Sequence, residues 1–104
     1  MPFGEMALMT KQQKADIGAA KGQIKHHIQA FKEALDAAGL KPVKCTINVP
    51  KYGPYYLGTD FGLRDSSGRF IEEDRKYSLM HLLLIATELS HLTNPGRIEE
   101  LRQE

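Results

Sequence analysis

Apolar residues in the first third of the chain fall at Ile17, Ile24, Ile28, Phe31, Leu35 and Ala38, mostly at alternating steps of four and three. That spacing predicts a helix over 11–38 with one buried stripe. Thr10 is placed to cap its start, Gly39 to close it, and Pro42 to prevent re-entry. Gly18 and Gly22 each weaken the first half by roughly 1 kcal/mol relative to alanine. The part from Gln23 onward is therefore expected to be firm and the part before it to bend or fray. Residues 1–9 show no periodicity and read as a flexible lead-in, which leaves 10–104 as a single domain.

The pattern then changes period. Val43, Cys45, Ile47 and Val49 alternate strictly with Lys44, Thr46 and Asn48, the signature of a half-buried strand. After the Pro50-Lys51-Tyr52-Gly53-Pro54 turn, a second strand is predicted over 55–63, with Tyr55, Leu57, Phe61 and Leu63 on its inner face. Asp65-Ser66-Ser67-Gly68 supplies hairpin chemistry, with glycine where a positive φ is needed, and leads to a short third strand over 69–72. Glu72, Glu73 and Asp74 stand before the next helix, where acids favour the positive end of its dipole. That helix, predicted over 77–93, is apolar over most of its circumference, so Leu82 and Leu83 are both expected in the core. Asn94-Pro95-Gly96 ends it, and Ile98 and Leu101 allow a short amphipathic helix over 97–103.

These elements give an α+β fold of order α-β-β-β-α. Its parts are a three-stranded antiparallel meander packed against a central helix, a long N-terminal helix and a short C-terminal one. The long helix can lie beside the central helix or against a second copy, and its apolar stripe leads us to expect a homodimer.

With 104 residues, 41% hydrophobic and 26% charged, the chain suits one soluble domain. No apolar run approaches the length of a membrane span, and the start lacks the cationic and apolar regions of a secretory signal. A single cysteine excludes an internal disulfide, so a cytoplasmic setting is expected. Cys45 falls on the inner face of the first strand and reads as a buried small hydrophobe.

A net charge of +1 conceals an asymmetry. Residues 1–52 hold eight lysines, no arginine and four acids, giving +4, while residues 53–104 hold six basic and nine acidic residues, giving −3. The halves either attract each other or leave a cationic face for a polyanion. Wound as a helix, Lys11, Lys14, Lys21, Lys25 and Lys32 lie within about 80° of arc. Lysines so aligned can neutralise successive phosphates, releasing counterions without reading sequence. The plainer reading is a solvated face that keeps the chain soluble. Lys44 extends the patch on the polar side of the first strand, and Tyr52 and Tyr56, near a loop tip, could stack on unpaired bases. Tyr55 is expected to point inward.

His81, Glu88 and His91 share one helix face, and Glu88-x-x-His91 has the spacing found in carboxylate-bridged metal bundles. It offers a metal-dependent enzyme as one reading, with His26 or His27 as further ligands; an exposed polar stripe is the other. There is no phosphate-binding glycine loop, zinc-ligand spacing or serine-nucleophile motif, and no cofactor is expected.

The α-β-β-β-α order resembles that of double-stranded RNA-binding domains, although their basic run at the start of the last helix is replaced here by Glu72-Glu73-Asp74-Arg75-Lys76. Within the stretch 55–83, Asp65-Ser66-Ser67-Gly68 and Arg75-Lys76-Tyr77-Ser78-Leu79 resemble single-stranded-DNA-binding transcriptional cofactors of the positive cofactor type. The shared residues are mostly turn chemistry and cover under a third of the chain, so they imply nucleic acid without assigning a family. The expected function is therefore a small non-catalytic binding protein that contacts nucleic acid. A regulator or inhibitor that binds another protein through its helical surface is the alternative.

Overall fold

A computed structural model describes residues 11–73 and 77–103. The lead-in and the Thr10 cap lie outside the described residues. Helix α1 (Lys11–Ala37) is followed by strands β1 (Cys45–Val49), β2 (Gly53–Leu57) and β3 (Leu63–Arg64). A 3-10 turn (Ile71–Glu73), helix α2 (Leu79–Ser90), a second 3-10 turn (His91–Thr93) and helix α3 (Pro95–Arg102) complete the chain. The fold is α+β in the order α-β-β-β-α.

Helix α1 runs through Gly18 and Gly22 without interruption, and a Cβ at either position would meet no neighbour within 4 Å. Its end follows from Gly39, whose φ of 72° lets the Leu40 amide donate to the Leu35 carbonyl at 2.8 Å. That is a Schellman closure, a conformation glycine adopts without a steric penalty. Ala20, Ile24, Phe31 and Leu35 are buried, and they pack with α2 and the inner face of the sheet into one core. Most of the apolar stripe is thus covered within one chain, while Ile17 and Ile28 on it are only half-buried.

The strands pair antiparallel in the order β1-β2-β3. Cys45 sits opposite Leu57 and Ile47 opposite Tyr55, so the alternation read from the sequence buries Cys45, Ile47, Val49, Tyr55 and Leu57 together. Phe31, Leu35, Leu57, Leu82, Ile85 and Leu89 are the largest fully enclosed side chains. Each contributes at most about 1.5–3 kcal/mol by leaving water.

Three expected element boundaries are corrected. The strand predicted over 55–63 is two strands. Gly58 and Gly62 bracket a turn in which the Gly58 amide donates to the Gly62 carbonyl at 3.0 Å, and the Asp60 carboxylate accepts from the Gly62 amide at 3.0 Å. The third strand predicted over 69–72 reduces to one bridge, between Arg64 and Phe70, before the backbone coils into the 3-10 turn. In between, the Asp65 carboxylate accepts from the Ser67 amide, the Ser67 hydroxyl and the Arg69 amide, which tightens the hairpin but leaves little ladder to extend. Gly68 takes the expected positive φ, 87°. Finally, α2 starts two residues later than predicted because Ser78 caps it, accepting from the His81 amide at 3.1 Å. No acid lies in its first turn.

Helix α2 buries Leu82, Ile85, Ala86 and Leu89. Leu83, expected in the core, is 38% exposed, and Met80 is 60% exposed. The helix is apolar nearly all round, yet one flank faces solvent. Helix α3 begins with Pro95 at its first turn, where a missing amide costs no hydrogen bond, and rests Ile98 and Leu101 against the core.

Candidate nucleic-acid interface

Because the buried stripe of α1 fixes the helix's rotation, its lysines are carried to one flank. Lys11, Lys14, Lys21, Lys25 and Lys32 are all exposed. At 1.5 Å rise per residue, Lys21 and Lys25 are about 6 Å apart along the axis and Lys25 and Lys32 about 10.5 Å. Among the described residues none of the five joins an ion pair. Three of the four described arginines differ, Arg69 being the exception: Arg64 pairs with Asp60 at 3.0 Å, Arg97 with Glu100 at 3.4 Å and Arg102 with Glu99 at 3.9 Å.

The lysine flank does not face empty solvent along its whole length. Between α1 and the 61–72 segment lies a groove of about 350 Å³, with Lys21 and Lys25 on one rim and Glu72 on the other. Ile24, Ile28, Leu63 and Leu82 contribute apolar surface to it, and Phe61 and Phe70 add aromatic surface. A second hollow of about 330 Å³ lies further along α1; Phe61 borders both, but here Lys32 is accompanied by Glu33 and Asp36. An anion is therefore better matched by the first.

Phe61 adopts φ 60°, uncommon for a bulky residue, and its ring meets Phe31 edge-on at 6.4 Å. The Lys32 ammonium lies 5.8 Å from the same ring's centroid. Gly62 is needed for its size. A Cβ there would come within 2.5 Å of Phe70 Cε1, so the bare backbone is what allows the Phe70 ring to settle. The Arg64 guanidinium, 4.1 Å from the Phe70 centroid, covers that ring while also donating to Asp60. Hydrogen bonds from Arg64, then from the Gly62 amide, pull the Asp60 carboxyl down to about 2.

No family model, no curated protein and no solved structure matches this chain. Its chemistry must be read from its own residues.

The remaining predicted contacts lie elsewhere. Lys44 is exposed just before β1, at the sheet edge away from β3. Tyr56 is 42% exposed on the outer sheet face, in register with Thr46 on one side and Arg64 on the other. Tyr52, also 42% exposed, is stacked on His81. The five helix lysines thus form one surface, with Lys44 and Tyr56 on the sheet and Tyr52 beside α2.

Among the described residues no group of three His, Cys, Asp or Glu side chains is placed to hold a metal ion. His81 is instead set among tyrosines: its Nε2 lies 2.7 Å from the Tyr55 hydroxyl, and the Tyr77 ring meets it edge-on at 4.6 Å. His91 is exposed at the end of α2. On α1, His26 and His27 meet edge-on at 5.5 Å; burial, then the neighbouring His26 charge, lowers the His27 pKa. Cys45 is buried, as its strand position implied.

Sequence reasoning missed the groove because Phe61 and Phe70 reach it from turns rather than from periodic elements. The available signal was Gly62, a glycine between two large apolar residues.

Proposed function

We propose that this chain is a small non-catalytic protein that binds nucleic acid through the lysine flank of α1. One observation carries the reading: five aligned lysines are exposed and have no acidic partner among the described residues, while Arg64, Arg97 and Arg102 are all engaged by acids. Unpaired cations along one helix edge suit a line of phosphates, since binding need not first break an ion pair. Lys44 and Tyr56 supply a separate contact surface on the sheet.

The test is fluorescence anisotropy with labelled single-stranded and duplex oligonucleotides, run from low to moderate salt. Saturable binding that weakens as salt rises supports the reading. An absence of binding at low salt rejects it.

A second reading has its own support. Met80 and Leu83 expose apolar surface on α2, a surface suited to a protein, either a target that the chain regulates or inhibits or a second copy in a homodimer. Capture of a protein partner in the absence of nucleic acid, or a dimer mass by light scattering, would favour it.

A further inference from the structure

We infer that the groove between α1 and the 61–72 segment binds a small amphiphilic anion, its head group on Lys21 and Lys25 and its apolar body along Ile28 and the two phenylalanine rings. The volume of about 350 Å³ falls at the lower end of small-molecule sites. Charge sets the polarity of the occupant. Among the described residues Lys21 and Lys25 face one acid, Glu72, across the groove, and neither lysine is held in an ion pair there. The neighbouring hollow, lined by Lys32 together with Glu33 and Asp36, lacks that excess of positive charge.

The body of the ligand follows from the rest of the lining. Between the charged rims the side chains are aliphatic or aromatic, so a polar body would lose hydration without gaining partners. An apolar body exchanges water for the Ile28, Phe61 and Phe70 surfaces. The site is concave, which suits a dissolved single molecule rather than the flat face of a bilayer. The inference does not rest on nucleic-acid binding: a chain that ignores oligonucleotides could still fill this groove.

Decanoate, kept below its micellar range, is the probe, with decanamide as its uncharged counterpart and anionic vesicles as a control. Backbone amide shifts of the unmodified protein should move saturably around Lys21, Lys25 and Gly62. Decanoate should bind roughly tenfold more tightly than decanamide, the margin of one charge-assisted contact. Changing Lys21 and Lys25 together to Gln should shrink that margin to about threefold or less. Ile28→Trp, which fills the groove from a half-buried position and leaves both lysines in place, should abolish binding of both probes. The inference would be overturned by an absence of saturable shifts, by equal affinity for the two probes, or by shifts centred on Met80 and Leu83. Binding to vesicles without binding of dissolved decanoate would do the same. Because the shift map uses the unmodified chain, the inference is decided even if a variant fails to fold.

Discussion

The Tyr52 ring lies flat on His81, with centroids 3.6 Å apart and planes inclined by 9°. This stack ties the β1–β2 turn to the first turn of α2, and the Tyr55 hydroxyl, 2.7 Å from His81 Nε2, adds a polar link from β2. Replacing His81 by Ala removes an aromatic pair, worth about 0.5–1.5 kcal/mol, and a hydrogen bond worth about 1 kcal/mol. His81→Ala should therefore destabilise the chain by about 2 kcal/mol in urea unfolding. His81→Phe, which keeps the stack, should lose about half as much. Equal losses would show that the stack contributes nothing.

Leu82 and Leu83 are neighbours in sequence with opposite environments, 1% and 38% exposed. Leu82→Ala should cost about 2–5 kcal/mol through lost transfer energy and a residual cavity. Leu83→Ala should cost less than about 1 kcal/mol, as surface substitutions do. Denaturant midpoints measured side by side check the contrast; similar losses would place Leu83 in a buried interface.

Changing Lys14, Lys21 and Lys25 together to Gln should flatten the slope of log affinity against log salt by about 2–3, since each phosphate contact contributes about 0.7–0.9. Folding should be nearly unchanged, because lysine and glutamine have similar helix propensities. Affinity should fall by a similar factor across oligonucleotide sequences, as phosphate contacts carry no base information. An unchanged slope would remove these lysines from the interface.

Asp60 should titrate at about 2, which carboxyl-carbon NMR shifts can follow. Its folded pKa lies below the ordinary 3.8, so the contribution of the Asp60–Arg64 pair is present above about 3.8 and is lost as pH falls through about 2. Asp60→Asn should remove that pH dependence. His27, whose pKa is lowered, acts at milder acidity: its neutral form is favoured in the fold, so stability should begin to fall as pH drops below 6.5.

The regular parts of the fold could be read in the sequence because their periodicity is set by burial. Ile24, Phe31 and Leu35 marked the inner face of α1, Gly39 marked its end, and Cys45, Ile47 and Val49 marked β1. The 58–62 turn escaped because Phe61 and Leu63 continue the alternation of Tyr55 and Leu57 across it, although Gly58, Asp60 and Gly62 carry turn chemistry. Leu83 was misplaced because an almost uniformly apolar helix gives no phase. The lysine alignment on α1 was legible from helix geometry alone. The groove beside it was not, since Phe61 and Phe70 are brought to α1 by tertiary packing. The Tyr52–His81 stack escaped for the same reason, joining residues far apart in the chain.

The first buried residue of α1 is Ala20, and before it Ile17 is no more than half-buried. Among the described residues the 11–16 turns bury no side chain, and helical continuity joins them to the body. Such turns can open without disturbing the core, so their amides should exchange with solvent at a free energy well below that of global unfolding, while those around Phe31 and Leu35 approach the global value. Gly18 and Gly22, each with open space around a would-be Cβ, set the height of that step. Alanine at both should raise the protection of the 11–16 amides and leave the exchange of the Phe31 amide governed by whole-molecule unfolding.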